Sequence, residues 1–104
     1  MFEMPTLDDL NAPLTEAEKA RARKRFDHLC QRGTAFLGTE YAILGGAMSW
    51  VSERTLVSAI SNAGGFGVID CGAMQPERLA EEIAATRALT DRPFGVNLIT
   101  MHPH

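Results

Sequence analysis

Three short apolar runs start at about residues 41, 66 and 94, and a longer amphipathic stretch separates each from the next. The runs are Tyr41–Leu44, Phe66-Gly67-Val68-Ile69 and Phe94-Gly95-Val96-Asn97-Leu98-Ile99. Between the first two, Glu53 to Ala63 carries Leu56, Ala59, Ile60 and Ala63 at i, i+3, i+4 and i+7, the spacing of one helix face. Between the last two, Pro76 to about Leu89 places Leu79, Ala80 and Ile83 inward and Glu77, Arg78, Glu81 and Glu82 outward. Short strands alternating with helices pair in parallel, because parallel neighbours need a crossover and a helix supplies it. Doubly wound sheets and (β/α)8 barrels both begin this way. The pattern predicts an α/β fold with three parallel strands in an unfinished sheet.

The punctuation agrees with that pattern. Gly64-Gly65 stops the first crossover helix, Pro76 suits the first turn of the second, and Asp91-Arg92-Pro93 is a turn. The stretch Ile43-Leu44-Gly45-Gly46-Ala47-Met48-Ser49-Trp50 reads as a strand emptying into a glycine turn, with a helix start in Ser52-Glu53. Glycines at 45 and 46 permit a positive φ and let a flat ligand lie close to the backbone. Such strand ends form the functional edge of parallel sheets. Gly64-Gly65-Phe66-Gly67 looks phosphate-like, but it follows a helix and precedes a strand, the reverse of a phosphate cradle. It reads as a helix stop.

Ahead of this unit, Met1 to Pro13 is an acidic and apolar arm with two prolines, expected to be irregular. Leu14 to Arg32 reads as a helix opened by a capping box, Thr15 with Glu18, and stopped by Gly33. Ala22, Phe26, Leu29 and Cys30 share its apolar face, and Lys19, Arg21, Arg23, Lys24 and Arg25 its basic one. Glu16, Glu18 and Asp27 dilute that charge, and the net charge is −3, so neither nucleic acid nor an anionic membrane is an expected partner. No apolar run approaches the ~20 residues of a membrane span, and the first residues lack the basic and apolar regions of a secretory signal. A cytoplasmic location is therefore expected, with Cys30 and Cys71 as reduced thiols. No metal site is expected from cysteine or histidine spacing.

Three blocks carry a family resemblance: Gly45-Gly46-Ala47-Met48-Ser49-Trp50-Val51, Ala59-Ile60-Ser61-Asn62-Ala63-Gly64-Gly65-Phe66-Gly67 and Arg92-Pro93-Phe94-Gly95-Val96-Asn97-Leu98. Together they resemble the nitronate monooxygenase family, formerly 2-nitropropane dioxygenase, a close relative of the FMN-dependent enoyl-acyl carrier protein reductases. The resemblance divides the chain into an N-terminal arm and accessory helix, residues 1–40, and part of a barrel, residues 41–104. It implies the N-terminal βαβαβ part of a (β/α)8 TIM barrel that holds FMN at its C-terminal mouth. It implies that Gly46, Ala47, Met48 and Ser49 run along the flavin and that the Asn97 amide binds it. Ala47 departs from the family pattern, where glycine is common. The residues agree in kind, since an asparagine amide offers donors and an acceptor and a thioether is polarizable. A methionine after a strand is nonetheless more often core, and a backbone partner satisfies a buried amide as well as a ligand does. Trp50 reads as packing at the barrel rim, and His102 and His104 as inert.

A whole barrel of this type needs about 250 residues. Its phosphate-binding part follows strands seven and eight, and the family's catalytic histidine is expected beyond residue 104. No catalytic residue is therefore assigned. The implied activity is oxidation of an alkyl nitronate with dioxygen. Its rivals are enoyl-thioester reduction and a non-catalytic fragment. Exposed sheet edges predict self-association.

Overall fold

The computed structural model describes residues 3–101. Its elements run α1 (Leu7–Asn11), α2 (Glu16–Leu37), β1 (Leu44–Gly45), α3 (Arg54–Asn62), β2 (Phe66–Asp70), α4 (Pro76–Leu89) and β3 (Phe94–Asn97). The three strands form one parallel sheet in the order β1-β2-β3, with Leu44 opposite Phe66, Gly67 opposite Phe94 and Asp70 opposite Asn97. The chain is a mixed α/β protein with a parallel three-stranded sheet, as the alternation requires.

The N-terminal arm departs from expectation. Leu7–Asn11 is helical because Thr6 and Asp9 form a capping box like that of Thr15 and Glu18. Gly33 does not stop α2, which runs on to Leu37 and ends at Gly38 in the left-handed region (φ 68°). Gly33 is small for another reason: a Cβ there would lie 2.7 Å from the Ala42 methyl. The long helix leans on the chain just before β1. Phe26 packs on the Tyr41 ring at 6.1 Å between centroids, and the Arg23 guanidinium lies 4.7 Å above the same ring while bonding Glu40. Ala22 and Leu29, read as part of its apolar face, are exposed.

The first strand is two residues long rather than four, because Tyr41 and Ile43 bond across to Gly64 and Phe66 as a lead-in rather than a ladder. Gly64 ends α3 with φ 100°, and a Cβ on it would also meet the Tyr41 ring at 3.0 Å. Gly67 brings β2 against α3 so closely that a Cβ would fall 2.5 Å from the Val57 carbonyl oxygen. The buried face of α3 is therefore Val57, Ser58 and Ser61, one step round from the predicted stripe, of which Ala59 and Ala63 are exposed. Serine is tolerated there because its hydroxyl is used. Ser61 Oγ donates to the Pro93 carbonyl at 2.8 Å and accepts from the Gly67 N–H at 3.2 Å, tying the helix to two strands.

Glu82 also departs from expectation. It is not outward but fully buried, at 0% exposure. Its carboxylate accepts the Arg54 backbone N–H (2.9 Å) and Nε (3.0 Å), and pairs with Arg78 Nη2 at 2.8 Å. Glu53 sits at the N-cap of α3 without a capping side chain. A side chain from α4 therefore caps α3, which a helical wheel of α4 alone does not reveal. The Arg54 hydrogen bonds, and more weakly the Arg54 and Arg78 charges, hold the Glu82 carboxyl below the ordinary glutamate value of 4.5 against the opposing effect of its burial.

Replacing Glu82 by alanine is expected to cost about 3 kcal/mol, since it strips a charged cap from α3 and leaves two arginines without their shared partner. Far-UV circular dichroism across a urea titration measures it. The folded-state lowering of the carboxyl means that its stabilisation is complete above pH 4.5 and is lost as pH falls through the lower folded value. Glu82→Gln is expected to remove that part of the acid dependence. An acid transition identical to the parent's would contradict it.

Candidate functional site

All three strands point their carboxyl ends at one edge, where β1 ends at Gly45, β2 at Asp70 and β3 at Asn97. The loop after β1 is folded around Ser52, which is 2% exposed. The Met48 N–H donates to Ser52 Oγ at 2.9 Å, and that hydroxyl donates to the Gly46 carbonyl at 3.3 Å. The N–H groups of Val51 and Ser52 both donate to the Met48 carbonyl, at 3.1 and 2.8 Å. The Ser52 carbonyl then accepts the Asp70 N–H at 3.2 Å, fastening the loop to the end of β2. Ser52 is thus a loop organiser rather than a helix-start residue.

The tight turn is paid in strain at Trp50, a non-glycine residue at φ 66°. For a side chain with a Cβ that conformation costs on the order of 1–2 kcal/mol. Gly45 and Gly46 do not take positive φ, contrary to expectation. Gly45 is small because a Cβ would strike Ile60, whereas a Cβ on Gly46 would meet nothing within 4 Å. Trp50 does not pack at a rim but stands 81% exposed. It borders a cavity of about 320 Å³ shared with Asp70, Met74 and Arg78, between the loops that follow β1 and β2.

Gly46, Met48 and Ser49 are exposed, and Ala47 is half-buried, all on the loop that leaves the carboxyl edge of the sheet. Met48 is 48% exposed, so it does not serve as core. Asn97 is half-buried at the end of β3. The partner recorded for its side chain is a carboxylate: Nδ2 donates to Asp70 Oδ1 over a long 3.5 Å. Asp70, one residue past the expected run Phe66–Ile69, is 6% exposed and is the last residue of β2. A polar residue ends each of two otherwise apolar strands, and the register sets Asp70 opposite Asn97. That parallel was visible in the sequence. His102 and His104 lie outside the described residues. Among the described residues no group of three or more His, Cys, Asp or Glu side chains is placed to hold a metal, and Cys30 and Cys71 are free thiols. No helix among them is long and apolar enough to cross a membrane.

A parallel α/β unit whose loops gather at the carboxyl edge of the sheet is the architecture in which barrel and open-sheet enzymes carry their ligands. The sequence model of the nitronate monooxygenase family matches residues 31–104. The chain belongs to the nitronate monooxygenase family. It is 40% identical over 67 residues to a nitronate monooxygenase of Paraburkholderia phytofirmans, covering 64% of this chain and 18% of that protein. It is 42% identical over 65 residues to (3aS,4S,5R,7aS)-5-hydroxy-7a-methyl-1-oxo-octahydro-1H-indene-4-carboxyl-CoA dehydrogenase of Mycobacterium tuberculosis, covering 62% of this chain and 18% of that one. Among solved structures it resembles FabK from Thermotoga maritima, with a TM-score of 0.68 and 47% identity, over 69% of this chain and 23% of FabK. The chain thus spans about a fifth of the length of the curated relatives it matches.

Ser52→Ala is expected to leave the Met48 N–H without its partner and to loosen the whole turn, at a cost of about 1–2 kcal/mol. Amide hydrogen exchange reads this locally. Met48 should exchange at least tenfold faster in the variant while Val96 in β3 is unchanged; equal protection of Met48 in both proteins would contradict the assignment.

Proposed function

We propose that the chain is the N-terminal βαβαβ part of a (β/α)8 FMN-dependent oxidoreductase of nitronate monooxygenase type. One observation carries the reading: the loop bearing Met48 and the strand end bearing Asn97 belong to the same carboxyl edge. The residues fit a flat heterocycle. Gly46 has open space where a side chain would stand, Met48 offers an uncommitted thioether, and Asn97 offers an amide. Gly46, Ala47, Met48 and Ser49 would lie along the ring system and Asn97 at its polar edge. Bound FMN would supply the redox chemistry for oxidising an alkyl nitronate with dioxygen. The chain's own part is to bind and orient, through a loop held rigid by Ser52 and a strand end held by the sheet.

Enoyl-thioester reduction is the second reading, favoured by the 47% identity to FabK over the matched part. Both readings place FMN at the same edge and differ in what lies above it. Ile43, Leu44, Leu98 and Ile99 lie in or beside the edge strands and are exposed, which supports association of the sheet with further βα units or with another copy.

FMN titrated against the purified chain is expected to lose fluorescence saturably, and Asn97→Ala to weaken that binding about tenfold, the worth of one to two hydrogen bonds. Fluorescence that stays unchanged with the parent chain would contradict flavin binding by this unit. Undiminished affinity in the variant would remove Asn97 from the site.

A further inference from the structure

An asparagine amide is ambiguous, since it donates from one side and accepts on the other, and rotation by half a turn exchanges the two. Something beside Asn97 must decide which side faces a ligand. Asp70 stands directly opposite it in the parallel register and is 6% exposed, a buried acid outside the Glu82 cluster. Its place is closely set. The Asp70 N–H is held by the Ser52 carbonyl at 3.2 Å. Gly72 lies over the carboxylate, where a Cβ would stand in ordinary contact with both oxygens at 3.5 Å. A carboxylate oxygen accepts, so it selects the donating side of its neighbour. Asn97 Nδ2 lies 3.5 Å from Asp70 Oδ1 accordingly, which turns the amide oxygen away from the carboxylate.

We propose that Asp70 is the positioning residue that fixes the direction of the Asn97 amide, so that this edge presents an acceptor and selects a planar ligand carrying a ring N–H. The inference rests on the flavin reading for the identity of that ligand, whose imide N–H is such a donor. The pairing of Asp70 with Asn97 stands without it. The sequence Phe66–Asp70 and Phe94–Asn97 then has a single sense: two strands of a parallel pair end on a carboxylate and on the amide it orients.

The test compares binding of FMN and of FMN methylated at N3, which lacks the ring donor. The parent chain is expected to prefer FMN about tenfold, and D70N, isosteric but free to donate or accept, to bring that ratio close to one. The double variant D70N/N97D restores a donor-to-carboxylate pair with an acceptor facing the ligand, and should recover FMN affinity to within about threefold of the parent. D70N that keeps the parent's preference overturns the proposal, as does a double variant no better than D70N alone. A parent chain that binds neither flavin defeats the flavin reading, and side-chain amide exchange then decides the pairing. The Asn97 Nδ2 protons should exchange at least threefold faster in D70A than in the parent while the Val96 backbone amide is unchanged; equal rates overturn the role of Asp70.

Discussion

A single buried carboxylate sets the geometry on which the rest depends. Glu82 reaches from α4 to the first N–H of α3 and takes two arginines with it, so the start of one helix is positioned by the middle of the other. The residue before that start is Glu53, and before it Ser52, which gathers the Met48 turn and bonds to the end of β2. The position of the loop after β1 is therefore tied to a helix–helix contact at the start of α3. Among the described residues the fully apolar core is small, with Val57 and Ile69 as its buried hydrophobic members, so polar ties carry an unusual share of the specification.

Close backbone approach is the second constraint. Gly67 lets β2 lie against the Val57 carbonyl, Gly45 admits Ile60, and Gly64 combines a left-handed φ with the Tyr41 ring above it. The glycines that look like a ligand cradle in the sequence serve mainly to seat α3 on the strands. Gly46 is the exception, since nothing fills the space beside it. The conformational strain expected of the glycine turn is instead carried by Trp50, whose exposed indole borders the cavity next to Asp70.

How far the sequence could be read follows from these facts. The strands, the crossover helices and their parallel order were legible because period and punctuation are local signals; α4 begins and ends at Pro76 and Leu89 as expected. Gly33 and Glu82 were not, because each depends on a partner distant in the chain, Ala42 for the one and Arg54 for the other. Met48 and Asn97 were singled out only through the family resemblance, whereas the bonds of Ser52 and Asp70 were missed. Their roles lie in bonds across the sheet end, and only register brings Asp70 to Asn97. A serine beside a glutamate and an acid at a strand end look ordinary until the neighbouring strand is in place.

Backbone amide shifts of the isotope-labelled chain during addition of FMN test most directly whether the tips of β1 and β3 serve one flat ligand. Perturbations concentrated at Gly46–Ser49 and at Asn97, growing together along one saturation curve, are the expected result. Shifts at the opposite edge of the sheet, around Phe66 and Phe94, or two groups that saturate at different concentrations, would contradict a shared site.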